Sequence, residues 1–306
     1  MPIRQRRPGG NRLRLRRLLP FLPLVLLLFL LPPLAALLLR RANSLGRRCL
    51  PPAAARLLLP DPSPRLNFAI VTLSDEGAGA SQGRSFRGVL AASAWNKRAY
   101  AAAHGYDFAV LPTGAIDTSR PPSWSKILAL RTHLHRHHWL FWNDADTLVT
   151  NPAIPLERIL FSVIGHNDFH ESPDLILTED FSGVNAGMFF VRRSKWTESF
   201  LDRWWNQTSF IQFDSTKSGD NAALKYLIEH LSPEEMQAHV RIAKMQCLFN
   251  SYPWTPTWKP VLRLIFYLPT TWKGVYSDGD FMIHFAGVND KQGWANKILT
   301  EIQTQR

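Results

Sequence analysis

From Asn67 onward the chain alternates short apolar runs with stretches of helical spacing, and this alternation limits the fold more than any single motif. FAIVTL at residues 68–73 predicts a buried strand. Residues 86–104 carry helical spacing and stop at Gly105, a residue suited to a left-handed helix end. Residues 106–111 predict a second strand closed by Pro112, residues 124–138 a second helix, and residues 139–142 a third strand. A strand at 187–191, helices at 194–205 and 221–231, and a strand at 281–285 follow. Strands and helices in turn, joined by short links, predict an α/β fold: a Rossmann-like, mainly parallel sheet flanked by helices. Ligands of such sheets gather beyond the carboxyl ends of the strands. That places residues 72–75 (with Thr72 and Ser74), 143–147 and 284–287 around one crevice.

The segment before this domain has a different character. Residues 18–39 are apolar without a charge. As a helix rising ~1.5 Å per residue they can cross a hydrocarbon core of ~30 Å, prolines included. Seven arginines precede this stretch and four follow it closely. The excess on the N-terminal side predicts a cytosolic tail (1–17), a transmembrane signal-anchor (18–39), a stem (40–65) and a luminal domain (66–306). A cleaved signal peptide fits less well, because the stretch is long and no small-residue cleavage site stands right after it. The thirteen arginines and single acid of residues 1–65 account for the whole net charge of +12, so the domain that follows is neutral. It has no positive field for a polyanion, and no nucleic-acid partner is expected. Cys49 and Cys247 are the only cysteines. They can form neither a disulfide framework nor a thiolate zinc site, and the sequence leaves their pairing open. Asn206-Gln-Thr208 is a glycosylation sequon, a weak sign of a luminal location.

Asp144-Ala-Asp146 directly follows the apolar run 139–142. Two carboxylates at this spacing, just past a buried strand, can both reach one hard cation such as Mg²⁺ or Mn²⁺. Asp278-Gly-Asp280 repeats the pattern but reads as a plain turn. His133, His135, His137 and His138 read as a solvated helix face, since no Glu accompanies them in a metalloprotease-type frame. Trp254, Trp258, Trp272 and Trp294 read mainly as core.

With these residues in view, the sequence resembles glycosyltransferase family 34. The resemblance rests on Trp124-Ser-Lys126, Trp142-Asn-Asp-Ala-Asp146, Asn185-Ala-Gly187 with 189–192, Gly219-Asp-Asn221 and His284-Phe-Ala-Gly287, all in order. It covers roughly residues 66–295. It implies a GT-A fold, a single-pass type II Golgi membrane protein, Mn²⁺ (or Mg²⁺) dependence, and transfer with retention. The sugar would be galactose, mannose or xylose, passing from a nucleotide-sugar donor to a glycan or polysaccharide acceptor. By position, Asp144, Asp146 and His284 would hold the metal. Lys126, Asn143, Asn185, Ala186, Gly187, Gly287 and Lys291 would lie along the donor with Thr72 and Ser74, and Asp220 and Asn221 would be catalytic. The family usually has Asp-Gln where this chain has Asp220-Asn221, and Asn is a methylene shorter. A homo- or hetero-oligomer is left open. The competing readings are a haloacid-dehalogenase-like phosphatase, whose D-x-D motif normally carries a Gly that Thr147 displaces here, and a luminal binding protein without turnover.

Overall fold

The computed structural model describes residues 21–50, 66–76, 86–171, 173–213, 219–255 and 257–304. The expected tail 1–17, the start of the expected anchor (18–20) and residues 51–65 of the expected stem lie outside them. Strands β1 (Phe68–Leu73), β2 (Asp107–Leu111) and β3 (Trp139–Asn143) pair in parallel, with β1 in the middle. Helix α2 (Val89–His104) links β1 to β2, and α3 (Ser125–Leu134) links β2 to β3. Gly105 ends α2 at φ 72°, as its position predicted. The sheet continues through β6 (Gly183–Arg192) and β5 (Leu175–Asp180) to β7 (Val240–Ile242), in the order β2-β1-β3-β6-β5-β7. The pairings of β6 with β3 and with β5 are antiparallel, and β5 with β7 is parallel.

Both faces of this sheet are buried, which explains why its strands read as unbroken apolar runs. Val71, Leu140 and Trp142 point to one core, against Ile127 and Leu130 of α3 and residues of α5 (Lys195–Trp205) and α6 (Gly219–Glu229). Phe68, Ile70 and Phe141 point to the other, with Tyr100 of α2 and residues of α4 (Leu156–Ile164). Ser194 caps α5 by accepting from the amide of Thr197. A separate antiparallel pair, β4 (Thr147–Val149) with β8 (Met282–His284), sets His284 opposite Thr147. A third core lies beneath it, with Ala295 and Ile298 of α10 (Lys291–Thr304). Between β5 and β8 run α7 (Pro233–His239), α8 (Trp258–Phe266) and α9 (Leu268–Gly274).

Several local expectations change. Helix α3 stops at Leu134, and His137 is buried, bonded to Asp107 Oδ2 and the His133 carbonyl at 2.9 Å each. The histidines are therefore not a solvated helix face; the chain has already turned back toward β3. Asp280 is no plain turn residue. It is 2% exposed and pairs with Arg47 Nη2 at 2.7 Å. Cys49 and Cys247 form a disulfide.

The N-terminal helix α1 (Leu22–Arg40) has 19 residues, with Pro32 and Pro33 inside. Among the described residues no helix is long and apolar enough to cross a membrane. Arg40 pairs with Asp278 and Glu301, so the helix ends on the domain itself, and residues 41–50 fold against it.

Candidate active site

The site is built where β3 ends. Beyond Asn143 the chain turns through Asp144 and Asp146 into β4, and the amide of Asp144 donates to the Gly187 carbonyl at 2.8 Å. That carbonyl comes from an irregular stretch of β6. Ile176 and Thr178 of β5 pair with Phe190 and Asn185, so β6 carries extra residues between them. Such a bulge re-aims side chains next to a site. Val184 and Ala186 face one core before it, and Phe189 and Val191 face the same core after it, which reverses the alternation.

Ligand atoms of Asp144, Asp146 and His284 lie within 4.8 Å of one another. Two carboxylates and an imidazole form a donor set suited to Mn²⁺. Nε2 of His284 is 3.5 Å from Asp146 Oδ1. Asn250 Oδ1 accepts from Nδ1 of His284 at 2.9 Å, which turns Nε2 toward the carboxylates. Asn250 is itself held by bonds from its amide nitrogen to Thr178 Oγ1 (2.9 Å) and Asn185 Oδ1 (3.0 Å). Gly187 is required by contact. A Cβ there would collide with the His284 ring and stand 3.2 Å from Asp144 Oδ2.

Three buried lysines surround these carboxylates. Lys291 Nζ pairs with Asp146 Oδ2 and donates to the Phe285 carbonyl at 2.7 Å. Burial by itself would raise the Asp146 pKa. Lys291 and His284 outweigh it and hold this carboxyl far below the ordinary range, so it stays ionised. Lys126 Nζ lies 2.8 Å from Asp220 Oδ2 and 3.4 Å from Asp144 Oδ1, and donates to the Ala186 carbonyl at 2.9 Å. Burial opposes its charge, but Asp144 and Asp220 prevail and raise its pKa. Lys97 is fully buried and donates to the Asp144 carbonyl at 2.8 Å; burial lowers its pKa to about 7 against the pull of Asp146 and Asp144.

The remaining sequence-derived residues divide by what they touch. Asp220 accepts from Ser123 Oγ at 2.7 Å, is fully buried, and holds Lys126. Asn221 Oδ1 accepts from the Ala186 amide at 2.6 Å, and its nitrogen reaches the Val184 carbonyl at 3.4 Å, so its side chain fastens the bulge. Asn185 Oδ1 accepts from the Gly187 amide, and its nitrogen donates to Asp180 and to Tyr252 Oη. Thr72 is buried 3.4 Å from Lys97 Nζ, and Ser74 Oγ accepts from the Glu76 amide. Asn143 is buried, and among the described residues no donor reaches its Oδ1. Gly287 is an exposed turn at φ 72°, and Asn206 is exposed. Sequence reasoning missed Lys97 and Asn250. A lysine inside the buried stripe of α2 was a readable signal for the first; nothing local marked the second.

A solved glycosyltransferase involved in the glycosylation of the major capsid of PBCV-1 superposes with a TM-score of 0.51. It is 10% identical, over 75% of this chain and 99% of that one. The fold is thus GT-A-like, of mixed α/β type with a mostly parallel central sheet, the fold of a class of glycosyltransferases. Residues 66–295 match the galactosyl transferase GMA12/MNN10 family, and the chain belongs to it. The probable alpha-1,6-mannosyltransferase MNN10 of Saccharomyces cerevisiae is 25% identical over 267 residues, which cover 72% of this chain and 62% of that protein. The uncharacterized alpha-1,2-galactosyltransferase C637.06 of Schizosaccharomyces pombe is 28% identical over 188 residues, covering 52% and 53%. The chain thus spans 53–62% of the length of these relatives. The phosphatase reading finds no support.

Proposed function

We propose that the chain is a retaining glycosyltransferase that moves a galactosyl, mannosyl or xylosyl unit from a nucleotide-sugar donor to a glycan or polysaccharide acceptor. The observation that carries this reading is the convergence of Asp144, Asp146 and His284 within 4.8 Å in a chain of this family. These three would hold Mn²⁺ (or Mg²⁺). When bound, that ion offsets the negative charge of the departing nucleoside diphosphate.

The protein's own groups complete the task. Lys126 and Lys291 present ammonium groups on either side of the carboxylates and would turn to the donor phosphates. Gly187, by its lack of a side chain, lets the His284 ring close onto the carboxylates. Asn221 and Asp220 serve through others, one fastening the bulge and one keeping Lys126 charged and placed. Lys97 props the Asp144 carbonyl from below.

Attachment to the Golgi membrane with the domain in the lumen is part of the same proposal. The apolar run 18–39 and its flanking arginines support it. The disulfide fits an oxidising compartment, and the exposed Asn206 is open to glycosylation. The test is a screen of the protein against UDP-galactose, GDP-mannose and UDP-xylose, with and without Mn²⁺, scoring nucleotide released. Metal-stimulated release from one donor is expected. Binding of a donor with no release in any combination would favour the silent binding protein instead.

A further inference from the structure

The surface around α1 carries a feature that the transferase site does not use. On α8, Trp258, Leu262, Ile265 and Phe266 stand at intervals of four, three and one, a single helical stripe, and all are exposed. Tyr267 and Leu268 extend the stripe into α9. Phe266 is 73% exposed, and Val261 on the inner side is buried. Exposed apolar side chains clustered in this way mark an interaction surface.

The position of α1 says what covers it. Helix α8 packs against α1. Pro32, Ala35 and Leu39 are buried on one side of α1, while Leu34, Leu37 and Leu38 on the other side are exposed. The domain therefore runs alongside α1 from Pro32 to Arg40, about 13.5 Å of helix. Before Pro32, the side chains of Leu26 to Leu30 are exposed, and the ten residues of α1 from Leu22 to Leu31 rise only about 15 Å, half of a hydrocarbon core of ~30 Å. If only that part were in lipid, the exposed leucines of the last two turns and the α8 stripe would all stand in water. Trp258 and Tyr267 stand toward the two ends of the stripe, and such residues favour the headgroup boundary.

We infer that the α8–α9 stripe is embedded in the outer layer of the same bilayer that holds α1, so that the domain lies on the membrane and is not held away on a stem. This rests on the proposed membrane attachment. The occupant of the stripe is lipid, continuous with the lipid around α1.

The experiment uses the full chain in phosphatidylcholine vesicles. Cys49 and Cys247 are bonded to each other, so Phe266→Cys can be labelled alone with a nitrobenzoxadiazole dye, and Lys225→Cys, on α6, serves as control. Flotation with the vesicles tests attachment by itself. Phosphatidylcholine carrying a nitroxide on its acyl chain should extinguish most emission at position 266 and leave position 225 unchanged. Flotation with equal, undiminished emission at both positions would overturn the inference and leave the attachment standing. Self-quenching between labels at 266 would show a second copy on the stripe and would equally overturn it. Failure to float would overturn both.

Discussion

Asn250 fixes the orientation of His284: its side-chain oxygen accepts a hydrogen bond from Nδ1 at 2.9 Å, and Nε2 is thereby turned toward Asp146, 3.5 Å away. A partner of this kind orients an imidazole for a metal and raises its basicity. Asn250→Leu removes the acceptor at similar volume. Mn²⁺ affinity, read by electron paramagnetic resonance of the free ion, should fall roughly 10–100-fold. Unchanged affinity would show that the bond serves packing alone.

Asp146 has two duties, toward His284 and toward Lys291. Asp146→Asn should abolish metal-stimulated nucleotide release. Lys291 keeps the Phe285 carbonyl at 2.7 Å, so the fold should survive, at a cost of roughly 3 kcal/mol for a broken buried pair. Circular dichroism and thermal melting measure the second effect. Equal turnover in the two proteins would remove Asp146 from the mechanism.

Gly187→Ala places a methyl group against the His284 ring and close to Asp144. The ring and the carboxylate must then separate. A displacement of about 1 Å at reacting groups can cost ~10²-fold in rate, and that is the expected loss in kcat. Metal titration should show weaker binding in the same variant.

Lys97 gives the metal-free protein a distinct pH response. Burial lowers its pKa in the folded state to about 7, from an ordinary 10.5. Between these values the unfolded chain holds a proton that the folded chain lacks. Stability should therefore rise as pH rises through this window, by about 1.4 kcal/mol per pH unit at most from this group. Lys97→Met should flatten that rise relative to wild type in denaturant melts at pH 7 to 10. A parallel pair of curves would show Lys97 charged when folded.

Arg47 and Asp280 form an ion pair with no exposed side-chain surface, next to the Cys49–Cys247 bridge. Asp280→Asn leaves the guanidinium buried without its counter-charge. Unfolding should become easier by about 3–5 kcal/mol. Because Ser251 donates to Asp280 and its carbonyl accepts the His284 amide (2.7 Å), Mn²⁺ affinity should decline as well. Denaturant midpoints and metal titration give the two readings.

The three parallel strands and their helices were legible in the order of residues, because a buried strand or a helix face is written in residues that neighbour one another. That order also marked Asp144 and Asp146, since a carboxylate pair just past an apolar run is a local pattern. Ordered motifs brought in His284, Lys126 and Lys291. How these groups meet was set by the packing of distant elements. The antiparallel return of β6 and its bulge put Gly187 against His284, and no local spacing records a pairing between strands so far apart. Asn250 gave no signal, because an asparagine acquires its role from the one histidine it faces. Asp280 read as a turn until Arg47, 233 residues away, was found beside it in the core. Patterns of near neighbours fix elements; which distant polar groups share a buried space depends on how those elements pack.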